Sequence, residues 1–176
     1  MIRRLIVIGR GVTAERVAAL AGQLGYDELR LTEEVVETTA DDHVVIAEDD
    51  PLEGRKLLLA AAQVAVLPAY LGFAAPHREG WKALVWLAAK DVPKGTIDAI
   101  SAPAGVDVGA ESPDEIAIAV AAELVAIRRG RPRPSAGLDL GTPKRKRAVE
   151  AQPRRLIGSF GRAIASDDDD DGRGRN

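Results

Sequence analysis

Three short runs in this chain hold residue types suited to chemistry. The first is Gly9-Arg10-Gly11-Val12-Thr13-Ala14, a G-x-G-x-x-A pattern set between an apolar run and a helix-forming one. In a strand–turn–helix setting the first glycine permits the tight turn and the second lets backbone approach a pyrophosphate. A small third residue lets helix pack on strand, and the helix's first N–H groups face the anion. The run therefore predicts an anion or nucleotide site, with Arg10 either paired to phosphate or turned to solvent. Glu33 follows at about the spacing where dinucleotide folds place the acid that bonds a ribose. A solvated strand-end carboxylate is the other reading of Glu33, and both stay open.

The second run, Glu48-Asp49-Asp50-Pro51, closes a predicted strand at the carboxyl edge, where open α/β sheets bind ligands. Asp49 is a candidate ligand residue there, whereas Asp50 reads as the N-cap of a helix with Pro51 at its first position. The third run, residues 101–129, is a glycine-punctuated loop feeding a capped helix. Ser112 accepts an N–H bond, Pro113 takes the first helical position and Glu115 completes a capping box. Asp107 and Glu115 flank this loop and invite an acid/base reading. Glu115 already has its capping role, however, and Asp107, followed by Val108-Gly109, reads as a loop-turn aspartate. Neither shows a partner that would tune its pKa, and no serine, histidine and acid arrangement stands out, so no catalytic residue is assigned.

Strands and helices must position these runs. Leu5 to Ile8 reads as a first strand, followed by a helix from Thr13 to Leu24 with Val17, Leu20, Ala21 and Leu24 on one face and Gly25 as its stop. Further strands are predicted at 29–31, 44–47, 63–67 and 97–100. Further helices are predicted from Pro51 through Leu59, from Glu79 to Ala89 and from Pro113 to Arg129. This alternation predicts an α/β fold, a Rossmann-like parallel sheet with helices on both faces.

The chain has 176 residues, enough for one well-buried domain and short for two. Residues 1–130 carry 20 Asp and Glu against 13 Lys and Arg, a net of −7, and 131–176 carry 7 against 11, a net of +4. The acidic part argues against nucleic-acid binding through phosphate neutralisation. The rest, with R-P-R-P-S, T-P-K-R-K-R and a run of aspartates, reads as a low-complexity, disordered tail in which 154–165 alone could form an amphipathic turn or two. With no cysteine and two distant histidines, His43 and His77, neither a disulfide framework nor a zinc site is predicted. No apolar run reaches membrane-spanning length and the N-terminus reads straight into a strand, so a cytoplasmic protein without membrane association is expected.

The 101–129 run also resembles the C-terminal signature of the xanthine dehydrogenase accessory (XdhC/CoxI) family. Pro103, Gly105, Asp107, Gly109, Ala110, Pro113, Glu115, Ile116, Ala117, Ala122 and Glu123 fall on that family's P-x-G-[LV]-D-[IV]-G-A-x-[ST]-P-x-E-I-A and A-E pattern. Gly9-x-Gly11-x-x-Ala14 looks like its nucleotide loop and Glu48-Asp49-Asp50-Pro51 like its acidic strand-end block. The resemblance runs from about Leu5 to Arg129. It departs at Tyr70 to Arg78, where Gly72 and Arg78 fit but Ala75 and Pro76 replace a Gly-Ser pair. That change removes a hydroxyl and an N–H from a ligand loop. Ala119 likewise stands where the family tends to have serine.

Such proteins usually have two domains with the Rossmann-like half second, and because the first strand is read at the very start of the sequence, that half is expected to stand alone here. The resemblance implies binding of the molybdenum cofactor (molybdopterin) and its protected delivery to a molybdenum hydroxylase subunit of the xanthine or CO dehydrogenase type. A separate chain of the N-terminal type is an expected partner, and a homo-oligomer is left open. Candidate cofactor contacts are Gly9, Arg10, Gly11, Ala14, Glu33, Asp49, Gly72, Gly105, Asp107 and Gly109. Two alternatives remain: an NAD(P)-dependent oxidoreductase, supported by the glycine loop and Glu33 but lacking a substrate domain, and a nucleotide-sensing module docking a partner through the basic tail.

Overall fold

Leu5, Ile6, Val7 and Ile8 are apolar without alternation, as a strand buried on both faces requires, and they form an inner strand of the sheet. The computed structural model describes residues 3–131. The charged tail beyond, including the stretch 154–165, lies outside the described residues. Among these, five parallel strands are present: β1 (Arg4–Ile8), β2 (Glu28–Thr32), β3 (His43–Ile46), β4 (Tyr70–Phe73) and β5 (Ile100–Ser101), in the order β2-β1-β3-β4-β5. The expected α/β Rossmann-like architecture is what is observed.

The helices are α1 (Val12–Ala21), α2 (Pro51–Ala62), α3 (His77–Ala88), α4 (Lys94–Ala99) and α5 (Pro113–Arg128). Because successive side chains of a strand point to opposite faces, β1 feeds two cores. Ile6 and Ile8 pack with Leu58 of α2, Ala83, Leu84 and Leu87 of α3 and Ile97 of α4. Leu5 and Val7 pack with Ala14, Val17, Ala18 and Ala21 of α1 and Ile116, Ala117, Val120 and Leu124 of α5. The alanines on α1 and α5 allow these two helices to lie close together. After α1 a single 3₁₀ turn, Gly22–Leu24, ends at Gly25 in the left-handed region (φ 74°), the stop expected there.

Two strand assignments need correction. Residues 63–67 are not a strand but the loop after α2; Val66 and Leu67 are exposed there and Pro68 follows. The fourth strand is Tyr70–Phe73, buried along its whole length and registered with His43–Ile46. Residues 97–99 belong to α4, opened by Pro93, and only Ile100 and Ser101 reach the sheet. Ile97 and Ile100 are three apart, a helical spacing that aims both at one core and that a search for short apolar strands misreads. Among the described residues no helix is long and apolar enough to cross a membrane.

Candidate functional site

In this strand order the chain leaves β1 for β2 on one side and returns to β3 on the other, so the loops after β1 and β3 part at the sheet's carboxyl edge. That switch point is where doubly wound sheets bind ligands. The loop after β1 is the glycine run. Gly9 (φ 140°) and Gly11 (φ 93°) both adopt backbone that L side chains rarely take. A Cβ on Gly9 would overlap the Ala47 carbonyl, and one on Gly11 would overlap the Asp49 carboxylate.

The loop after β3 supplies the unexpected element. Asp49 accepts from the N–H groups of Val12 at 2.8 Å and Thr13 at 3.2 Å, so its carboxylate caps α1, whose own N-cap, Gly11, has no side chain to do so. Glu48, its side chain 7% exposed, accepts from the Arg10 N–H at 3.0 Å and the Asp50 N–H at 3.2 Å. Asp50 in turn caps α2 through Leu52 and Glu53, as its sequence position predicts. The Arg10 side chain lies between Glu33, one residue past β2, and Glu48, with both carboxylates at 3.8 Å from Nε. Desolvation pushes the Asp49 carboxyl upward, but hydrogen bonds from Thr13 and Val12 outweigh it and hold the group below the usual carboxylate range. Asp50 is likewise held low by the Glu53 and Leu52 amides.

A cleft of about 340 Å³ beside the glycine loop is lined by Gly9, Arg10, Gly11, Ala14, Leu31 and Glu33, among others. Six of the candidate residues, Gly9, Arg10, Gly11, Ala14, Glu33 and Asp49, thus come together around the switch point. The amides expected to face an anion, however, already face Asp49.

The remaining candidates lie elsewhere. Gly72 is buried inside β4, not in a loop; a Cβ there would overlap the Tyr70 ring. Gly105, Asp107 and Gly109 belong to the loop between β5 and α5. Its base is held by Glu123 of α5, fully buried, which accepts from the Tyr70 hydroxyl at 2.8 Å, the Ser101 hydroxyl at 3.0 Å and the Gly105 N–H at 2.5 Å. Val106 N–H donates to the Ala119 carbonyl at 3.1 Å. Gly105 (φ 109°) leaves no room for a Cβ against Ala119 and Val120, and Gly80 of α3 leaves none against Pro103. The loop base is therefore clamped between two helices, while its tip, Asp107, Val108 and Gly109, is exposed. Ser112 and Glu115 form the predicted capping box, and the capping amides hold the Glu115 carboxyl below its usual range.

Glu123 is the residue that sequence reading noticed only as part of a pattern. Its signal was available: a lone carboxylate in I-A-I-A-V-A-A-E-L-V-A, whose neighbours are apolar on every side, must be buried and must find donors. Tyr70 and Ser101, its partners, are distant in sequence and carried no such sign. Among the described residues no three His, Cys, Asp or Glu side chains are grouped to hold a metal.

Comparison with known proteins gives one family and a fold. A model of the XdhC Rossmann domain matches residues 5–124. A crystal structure described as a xanthine dehydrogenase from Bacillus halodurans superposes with a TM-score of 0.53 at 19% identity, over 76% of this chain and 45% of that one. At that identity the likeness concerns the fold, and the chain spans less than half the length of that structure. No curated protein matches the sequence.

Proposed function

Because the chain belongs to the XdhC Rossmann domain family, we propose that it is an accessory factor in the maturation of a molybdenum hydroxylase of the xanthine or CO dehydrogenase type. Its cargo in this reading is the molybdenum cofactor, and its partners are the hydroxylase subunit and a chain supplying the family's N-terminal domain. The single observation that supports an assisting role is the loop 101–112: a clamped base, fixed by Glu123, presents an exposed tip bearing Asp107.

The carboxylates along the same edge point the same way. Glu48, Asp49, Asp50 and Glu115 each accept two backbone N–H groups. Asp49, Asp50 and Glu115, whose carboxyls these amides hold below the usual range, are poor proton acceptors for a substrate, since general-base work asks for a pKa near the working pH. Binding and presentation therefore suit this edge better than turnover.

The phosphate of a pterin cofactor does not fit the glycine loop in this geometry, since the α1 amides are bonded to Asp49 and the surrounding side chains Glu33 and Glu48 are acidic. No step is assigned to cargo at that loop. The same donor set weakens the NAD(P)-dependent alternative, which is favoured only by Glu33 beside a cleft of about 340 Å³.

The deciding experiment is a deletion strain complemented with wild type or Asp107→Ala, read as hydroxylase activity and bound molybdenum cofactor. The expected result is a hydroxylase that is made and folded but lacks cofactor in the deletion strain and in the Asp107→Ala strain. Wild-type activity and cofactor content in every molybdenum hydroxylase of the deletion strain would refute the reading. Mass spectrometry of small molecules released from the natively purified protein separates the alternatives, a pterin favouring maturation and a nicotinamide the oxidoreductase.

A further inference from the structure

We infer that the Asp49 carboxylate occupies the phosphate seat of the glycine loop, and that with Glu48 it makes this loop select against phosphate-bearing ligands. In dinucleotide folds the second glycine keeps space open for a pyrophosphate, which the first amides of the helix then bind. Here the space left by Gly11 holds the Asp49 carboxylate, whose Oδ2 would collide with a Cβ at that position. The N–H of Val12 reaches Oδ2 at 2.8 Å and that of Thr13 reaches Oδ1 at 3.2 Å, so both carboxylate oxygens are engaged as two phosphate oxygens would be.

The rest of the loop is closed in the same way. Gly9 N–H donates to the Thr32 carbonyl at 2.9 Å and Arg10 N–H to Glu48 at 3.0 Å. The Arg10 guanidinium is shared between Glu33 and Glu48. A diphosphate entering this loop would have to displace Asp49 and then lie against like charges with a single arginine in compensation. Like charges brought together at an interface are a recognised means of rejecting wrong ligands. The glycine pattern is thus explained by an internal anion. The inference concerns the loop itself and does not depend on which cargo the chain carries.

The test uses the full chain titrated calorimetrically at neutral pH with ADP and with inorganic pyrophosphate. Asp49→Ala empties the seat and Asp49→Asn removes its charge at nearly constant volume. Thermal unfolding of each variant checks the fold, and Asp49→Asn carries the test alone if Asp49→Ala does not fold. The expected result is binding of both diphosphates at least about tenfold tighter in the Asp49 variants than in wild type, from removal of one like charge at contact distance. Wild type binding as tightly as the folded variants would overturn the inference, because the carboxylate would then be no barrier. Failure of every protein to bind would overturn it too, because no phosphate seat would lie beneath the carboxylate. Either failure leaves the hydroxylase-maturation experiment unaffected.

Discussion

Replacing Glu123 measures how firmly the loop 101–112 is anchored. Glu123→Ala removes the buried acceptor of the Ser101 hydroxyl and the Gly105 N–H, and takes one partner from the Tyr70 hydroxyl. An orphaned buried donor costs about 1–3 kcal/mol. The Ser101 hydroxyl can turn to another acceptor and water can enter the space vacated, so the expected loss is about 3–5 kcal/mol, a large share of a typical domain's stability. Glu123→Gln should cost only about 1 kcal/mol. Its oxygen, placed at Oε2, still accepts from Tyr70 and Gly105, while its amide donates to the Ser101 oxygen, which accepts as well as donates. Urea unfolding at neutral pH, with m-values compared to confirm that the same surface is exposed, gives both numbers. A loss below about 1 kcal/mol for Glu123→Ala would refute the anchoring role. Equal losses for Gln and Ala would refute the argument that acceptor geometry carries it.

Gly11→Ala should destabilise the protein by about 2–3 kcal/mol, combining left-handed backbone strain with displacement of the Asp49 cap, whereas Gly109→Ala, also at positive φ but with nothing within 4 Å, should cost only about 1 kcal/mol; equal costs in urea titration would show that strain alone is at work. Burial first, then the positive charges of Arg128 and Arg3, lowers the His43 pKa below 6.5, so the unfolded chain takes up this proton before the folded one and stability should fall as pH drops through and below 6.5. The denaturation midpoint compared at pH values on either side of that point, in wild type and His43→Gln, checks it. The variant should lose the slope, while the acid loss from Asp49, Asp50 and Glu115, whose folded pKa values are depressed, appears only in the lower carboxylate range.

The parallel sheet, its helices on both faces and the capping of α2 and α5 were legible in sequence because each depends on local patterning: unbroken apolar runs, alternating element types, and Asp50-Pro51 and Ser112-Pro113-x-Glu115 as starts. The fourth strand was misplaced because Val64 to Leu67 is apolar enough to mimic a strand. Tyr70–Phe73 contains a glycine that looks like a loop residue but in fact makes room for the Tyr70 ring. At the site, the six residues gathered around the switch point were identifiable from motif and spacing. What they do to one another was not, since the contact between Asp49 and the start of α1 joins positions 36 and 37 residues apart. Glu123 shows the same limit from the other side: its burial followed from its neighbours, its partners only from the fold.

A glycine motif records a need for absent side chains, and two different structures create that need. A ligand pressed against the backbone is one. A neighbouring loop pressed against it is the other, and here the Ala47 carbonyl excludes a side chain from Gly9 while the Asp49 carboxylate excludes one from Gly11. Charge distinguishes the two cases, because a loop built for phosphate gathers cations and free amides, whereas this one gathers Glu33, Glu48 and Asp49 around a single arginine. The negative balance of residues 1–130 is thus put to structural use at the carboxyl edge, where acids serve as acceptors for loop and helix amides. Rigid loops are the physical result, and the residues left exposed on them, Asp107 and Val108 foremost, are those available to meet another molecule.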